Sequence, residues 1–444
     1  MPKCVVIGAG LAGLSAAEDL IALGWTVHIV EARTRPGGRV HTEYDAFANG
    51  QYADAGAEWV DHSHLLVRGL VERFGLTLDD TTGPWTSTKR FLHFNGTIRP
   101  YDDVMATETG AQVDEFYAFI SDCASRIEPD DPTTSSEAEA LDELSVADLM
   151  ARFTLNAEAC LGITRHMQGE FACEPSGISV LFVAQQEALF THMNGATQGW
   201  SRRLKGGLSQ LPTLMADALA GVITYGAVVV AVAEDENGVT VMIHDGRVIQ
   251  ADAVVITAPL TALRSVTFSP PLPESLDGAI QRLGMGTITK VFGQYDEKVW
   301  VAAGLDAYIQ TDLPMQRVYE PTSMQSGTSG ILTAYIGGDH GAEVASQTAE
   351  QRQNDVVQPI DSIVPGAINH LIASSSQAWP GDPYARGAYA VYGPGQVMKY
   401  WRVLREPHGR VTFAGEHTAI TTGYMEGALE SGHRAAHQTH NLWA

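Results

Sequence analysis

The sequence predicts an α/β protein in which a doubly wound parallel sheet is interrupted by a second, mixed α+β unit. Three observations carry this. The first 31 residues run strand, glycine-rich turn, helix, strand. The texture changes after Pro84. Short apolar strands then return near 228–257 and again near 410–414. At 444 residues the chain exceeds what one hydrophobic core usually serves, so two units are expected.

Val5-Val6-Ile7, closed by glycine, has the pattern of a buried strand. Gly8 to Gly13 turns the chain. Residues 14–23 carry apolar side chains at 14, 17, 20 and 21, a helix that Gly24 stops, and residues 26–30 form a second strand ending at Glu31. This is a βαβ unit, whose strands are parallel. Beyond Pro84, Asn95-Gly96 between two apolar runs predicts a hairpin. Residues 103–203 read as amphipathic helices broken by a polar surface loop at 128–139. Further strands are expected at 228–232, 239–243, 253–257, through 287–336 and at 410–414, with a closing helix from about Met425 to His437. One unit is thus assigned 1–84, 204–286 and 386–444, and the other 85–203 and 287–385.

With 28 basic and 52 acidic side chains the formal charge is −24. Such a surface repels phosphate backbones and anionic lipid, so neither nucleic acid nor a membrane is an expected partner; a cationic substrate would be attracted, although solubility alone also accounts for acidity. The N-terminal segment lacks a secretory pattern and no window has the length of a membrane helix, so a soluble cytoplasmic protein is expected. Four cysteines without CxxC spacing make no disulfide framework. GxSxG, P-loop and HExxH motifs are missing. His433, His437 and His440 fall near helical spacing, which reads as a solvated helix face, and no metal is expected.

Gly8-Ala9-Gly10-Leu11-Ala12-Gly13 is a GxGxxG motif between a strand and a helix, the context of a Rossmann-type dinucleotide site. Its first glycine permits the turn, the second lets the backbone approach a pyrophosphate, and the third allows close helix–strand packing. Glu31, 18 residues past Gly13, stands where a carboxylate accepts ribose hydroxyls.

Together with the motifs farther along, the chain resembles the flavin-dependent amine oxidase family, which includes monoamine and polyamine oxidases. The resemblance rests on Glu31-Ala32-Arg33 with Gly37-Gly38-Arg39, Gly56-Ala57-Glu58-Trp59, Lys205-Gly206-Gly207, Lys290 in Thr289-Lys290-Val291, Trp379, and Gly387-Ala388-Tyr389. It continues through Phe413-Ala414-Gly415-Glu416-His417-Thr418 and Gly423-Tyr424-Met425-Glu426-Gly427-Ala428, covering residues 5 to 437. It implies one FAD. Gly8, Gly10, Leu11, Ala12, Gly13, Glu31, Ala32 and Arg33 would hold its adenosine and phosphate end, with Val229 meeting adenine through its backbone. Gly38 and Arg39 would line the phosphate and ribityl chain, and Gly56, Ala57, Glu58 and Trp59 would also meet the cofactor. Gly415, Glu416, Gly423, Tyr424 and Met425 would meet the flavin end, Gly423 offering backbone donors. The family's covalent tether in animal monoamine oxidases is a cysteine where this chain has Ala388, so a non-covalent FAD is implied.

The same resemblance implies an aromatic cage of Tyr389 and Tyr424 that admits a neutral amine between two ring faces, with Trp379 beside the flavin. Each aromatic taken alone reads as plain core. Lys290 resembles the family lysine that holds a water near flavin N5; a lysine inside an apolar strand is costly unless paired. Asp61 matches the acid of the polyamine oxidase tunnel and would bind substrate with Trp59, or else N-cap the next helix; His62 and His64 would line the mouth. The implied reaction is hydride transfer from the amine α-carbon to flavin N5, giving an imine, then an aldehyde or ketone with ammonia or an amine, and hydrogen peroxide from dioxygen. A homodimer is a further implication. Alternatives are an L-amino-acid oxidase, with an arginine such as Arg386 clamping the carboxylate, an FAD-dependent isomerase or desaturase without peroxide release, and a flavoprotein that only binds a ligand.

Overall fold

The computed structural model describes residues 1–80, 89–194, 200–305 and 308–443. The boundary expected at Pro84 lies outside the described residues. Strand β1 (Lys3–Ile7), helix α1 (Leu11–Ala22) and strand β2 (Thr26–Val30) form the βαβ unit. The helix begins three residues earlier than its periodicity suggests, because Gly10 is already its N-cap. Leu11, Ala12 and Gly13 are buried like the rest of the first two turns, so no polar face marks where the helix starts. Gly24 ends the unit's turn at φ +88°, a conformation that favours glycine.

β1 pairs in parallel with β2 on one side and with a strand at Ala253–Ile256 on the other. Val411–Phe413 and Ile223–Thr224 complete a five-stranded parallel sheet at its two edges. Three distant stretches of chain therefore meet in one layer, whose central strands are largely buried and rich in Val and Ile as parallel strands require. The last helix, Met425–Asn441, lies against α1; a Cβ at Gly432 would stand 2.4 Å from Ala12 O, so glycine is what permits the close approach. On that helix His433 Nδ1 meets Asp19 Oδ2 at 2.6 Å and His440 Nδ1 accepts from Trp25 Nε1.

A second, seven-stranded sheet collects the hairpin Arg90–Phe94 and Thr97–Pro100 with Tyr308–Thr311, Arg317–Tyr319, Gly330–Ile336, Thr289–Tyr295 and Leu371–Ala378. It is antiparallel except where Tyr308–Thr311 runs parallel to Arg90–Phe94. Helices fill much of 101–194, among them Glu108–Ala124, Ala157–Glu170 and Val180–Asn194. The polar stretch at 128–139 is not wholly a surface loop: Pro132 is buried at a short 3₁₀ turn, and the helix Ala138–Asp142 starts within it. No helix among the described residues is long and apolar enough to cross a membrane.

Candidate active site

Between the two sheets lies a cavity of about 790 Å³. It is lined by every site residue named from the sequence except Gly13 and His62. Residues as distant in the chain as Gly8 and Met425 thus line one cavity.

The end beneath α1 suits a dinucleotide. A Cβ on Gly13 would fall 1.9 Å from Gly8 O, and one on Gly8 would fall 2.6 Å from Thr257 Oγ1, so these glycines serve the packing of helix on strand. Gly10 has nothing within 4 Å of its would-be Cβ, and no side chain caps the helix that starts there, which leaves its first N–H groups open to an anion. Glu31 holds the loop from below: its Oε2 accepts from Ala9 N at 2.7 Å and its Oε1 from Arg33 N at 2.8 Å, with lone pairs left for a ribose. Arg33 closes this end with a two-point ion pair to Asp382, at 2.6 and 2.8 Å. Asp382 has no signal in the sequence; only the fold brings it to Arg33.

Farther along, several residues assigned to the cofactor make protein contacts as well. Arg39 donates to Glu416 Oε1 at 2.8 Å and to Ala388 O. Glu416 also accepts from Ala390 N and from Gly423 N at 3.0 Å. The Gly423 N–H, expected to face an electron-rich flavin edge, is therefore taken up by Glu416. Gly415 sits at φ +117°, and a side chain there would meet the His417 ring at 2.4 Å.

Lys290 differs most from its expectation. The residue projects from the strand Thr289–Tyr295 and is 2% exposed. Its Nζ donates to Asp54 O at 2.8 Å, Gly56 O at 3.0 Å and Glu58 Oε2 at 2.9 Å. Three acceptors use all three ammonium hydrogens, so this geometry holds no hydrogen back for a water. Glu58, expected among the cofactor contacts, lines the cavity and has its carboxylate at the centre of a charge cluster. Its Oε1 accepts from Arg203 Nε at 2.7 Å and its Oε2 from the Tyr319 hydroxyl at 2.6 Å. Burial alone raises the Glu58 carboxyl, but Lys290, Arg203 and Tyr319 outweigh it and bring it down to about 2. Burial pushes neighbouring Asp54 up to about 7, its bonds from Thr42 and Leu208 notwithstanding. The Arg203 guanidinium lies 3.9 Å from the centre of the Trp59 ring, which it braces at the cavity wall.

At the far end Trp379 is buried, with Nε1 donating to Ala55 O at 3.0 Å. The Tyr389 hydroxyl reaches Gly169 O at 2.9 Å and the Tyr335 hydroxyl at 3.0 Å. Burial holds the phenols of Tyr389 and Tyr424 well above their usual range, so both stay neutral. Tyr424 packs edge-on against His64, ring centres 5.4 Å apart. His64, not Asp61, is the N-cap of the helix Leu65–Arg73, and makes no side-chain cap. The Glu426 carboxylate caps that helix instead, accepting from Leu66 N and Val67 N. Asp61 is thereby free of the capping role: its Oδ2 is 3.4 Å from His64 Nε2, and its Oδ1 is buried without a hydrogen-bond partner. His62 stands off the cavity, edge-on to Trp200.

Glu170, Glu187, Tyr335 and Arg317 also line this end and escape a motif-based reading. Arg317 was within reach, since it is a charge inside an apolar strand just as Lys290 is. Its guanidinium reaches Glu170 Oε1 at 3.3 Å and the carbonyls of Arg165 and His166.

A family model for flavin containing amine oxidoreductases matches residues 11–440. The chain belongs to that family. Among its relatives, an L-amino acid dehydrogenase of Synechocystis sp. is 27% identical over 98% of this chain and 93% of its own length. A probable flavin-containing monoamine oxidase A of Dictyostelium discoideum is 27% identical, over 97% and 96%. Cyclohexylamine oxidase from Brevibacterium oxydans superposes with a TM-score of 0.88 at 25% identity, covering 100% of this chain and 99% of its own. In this flavin-containing amine oxidoreductase, the open Gly10 backbone and the uncapped helix end on the same cavity that Tyr389 and Tyr424 line.

Proposed function

We propose that the protein is a cytoplasmic FAD-dependent oxidase of amines that holds FAD non-covalently. The observation that carries this reading is a single cavity running from the glycine-rich loop at Gly10 to the wall of Tyr389, Tyr424 and Trp379. What FAD supplies when bound is acceptance of a hydride from the amine α-carbon and return of the electrons to dioxygen as hydrogen peroxide; the imine hydrolyses to an aldehyde or ketone. The division into a nucleotide-binding unit and a substrate-binding unit, as assigned from the sequence, belongs to the same proposal.

The chain's own residues do the placing. Tyr389 and Tyr424 offer aromatic faces to the amine nitrogen, and their neutral phenols leave those faces unaltered across the physiological range. Three carboxylates, Asp61, Glu170 and Glu187, face one guanidinium, Arg317, at this end, which draws ammonium ions inward. Ala388 stands where a tethering cysteine would be, and Cys4 lies in β1 with its thiol pushed up to about 12 by burial, far from a reactive thiolate.

An amino-acid substrate would need an arginine for its carboxylate. Arg203 is committed to Glu58, and Arg317 to Glu170 and two carbonyls, while Arg386 is exposed at the cavity lining and would be the clamp of an amino-acid oxidase. These commitments favour amines without an α-carboxylate.

The test is anaerobic mixing of the yellow protein with monoamines, diamines, polyamines, cyclic secondary amines and amino acids, tracking loss of flavin absorbance. Bleaching by amines and not by amino acids is expected. Flavin that stays oxidised with every amine would overturn the proposal. In the same assay Asp61→Asn is expected to raise KM for a diamine about tenfold while leaving a monoamine unchanged, the scale of one charge-assisted hydrogen bond.

A further inference from the structure

Tyr335 has a place that no motif marks. It lies on the strand Gly330–Ile336, directly across the antiparallel ladder from Lys290. Its ring centre is 5.7 Å from Lys290 Nζ, and its hydroxyl is 3.0 Å from that of Tyr389. One side chain therefore touches both the lysine and the cage.

The hydrogen positions are set by the acceptors. Tyr389 has one hydroxyl hydrogen, and its oxygen lies 2.9 Å from the carbonyl of Gly169, which has no hydrogen to give. Tyr389 must donate there, so the hydrogen between the two phenols belongs to Tyr335. The chain runs in one direction, from the Tyr335 hydroxyl to the Tyr389 hydroxyl to the Gly169 carbonyl. Its far end is anchored. Gly169 is in the last turn of the helix Ala157–Glu170, and a Cβ there would fall 1.7 Å from Arg317 Nη1, so the guanidinium occupies the space that a side chain would need. Arg317 also takes the carbonyls of Arg165 and His166 and so holds this turn in place.

We infer that Tyr335 is a positioning residue for the reaction, orienting the Tyr389 ring through this directed hydroxyl chain, in which the Gly169 carbonyl takes the one hydrogen that Tyr389 could otherwise give the substrate. The cage then presents an aromatic face, not a hydrogen-bond donor, to the amine nitrogen. A donor would occupy the nitrogen lone pair that must assist departure of the hydride. The inference rests on the amine oxidase reading for its substrate, and on geometry alone for the tyrosine pair.

A double-mutant cycle tests it, with Tyr335→Phe, Tyr389→Phe and the double variant of the FAD-loaded protein. Two quantities are read: the limiting anaerobic rate of flavin reduction by a reactive amine, and the Kd of tetramethylammonium from the flavin difference spectrum. Tyr335→Phe keeps the ring, so flavin content stays at the wild-type value and stability falls by no more than one hydrogen bond contributes. The expected result is a five- to tenfold slower reduction, the scale of one lost hydrogen bond, with the double variant no slower than Tyr389→Phe alone. Losses that multiply, or a Tyr335→Phe protein as fast as wild type, overturn the inference. Should no amine reduce the wild type, the amine oxidase reading falls. The tyrosine coupling is then judged by tetramethylammonium, whose Kd should show the same non-additivity.

Discussion

Lys290 Nζ and Glu58 Oε2 are 2.9 Å apart, with both side chains almost wholly buried. Glu58 carries Arg203 on its other oxygen, so one carboxylate answers two cations, and the fold holds a compact cluster of three charges beside the cavity. Pairs of this kind bring little net stability when intact but are costly to halve, because the remaining charge stays buried.

Glu58→Gln should therefore destabilise the protein by about 3–5 kcal/mol. Denaturant melts at neutral pH measure it directly. The acid limb should change too. A carboxyl brought down to about 2 in the fold contributes stability above its ordinary range, and loses it as pH falls through the interval towards 2. The variant should lack that part of the acid loss.

Asp54 has the opposite sign. Its carboxyl is pushed up to about 7 by burial, so the protonated form is the one the fold prefers. Its contribution is complete below the ordinary aspartate range and is lost as pH rises through about 7. Asp54→Asn keeps an acceptor for Thr42 and Leu208 and should flatten the stability profile between about pH 4 and pH 7. The full span is at most roughly 4 kcal/mol. A wild-type profile with no decline across that interval would contradict the assignment.

Two glycines of one motif should fail in different ways. Gly13→Ala drives a methyl to 1.9 Å from Gly8 O and should lower the melting temperature of the flavin-free protein, by about 1–3 kcal/mol in stability. Gly10→Ala meets nothing within 4 Å and should leave the flavin-free protein as stable as wild type. It should nevertheless weaken FAD binding at least tenfold, about 1.4 kcal/mol, by filling the space a phosphate needs. Flavin content after dialysis and the melting curve separate the two outcomes.

The rate of amine oxidation should climb with pH. Tyr389 and Tyr424 are phenols held well above their usual range by burial, so neither titrates near neutrality. The rising limb of kcat/KM then reports the amine losing its proton. A flat profile between about pH 6 and pH 9 would show that the ammonium form reacts.

Much of the site was legible locally. The GxGxxG loop, Glu31 and the β1–α1–β2 unit are contiguous, and their packing depends on residues a few positions apart, so sequence spacing encodes it. The hairpin at Asn95-Gly96 forms as the turn chemistry requires, with Phe94 opposite Thr97. The start of α1 lies earlier than the periodicity places it, since its first two turns are buried and show no polar face to read. The capping of Leu65–Arg73 was not legible either, because Glu426 arrives from 359 residues away to satisfy N–H groups that a local Asp61 would otherwise have served.

The sequence by itself determined the fold class, the glycine-rich loop and the family, because each is written in short motifs whose order and spacing survive without coordinates. Only the tertiary structure decided the partners of the charged and phenolic groups. Lys290 meets Glu58 at 2.9 Å, Arg33 meets Asp382, and Tyr389 lies between Tyr335 and Gly169. The reason is physical. A buried ammonium, guanidinium or hydroxyl must find an acceptor, but the chain leaves that acceptor's position along the sequence unspecified, and only the packing of the two sheets brings it within about 3 Å.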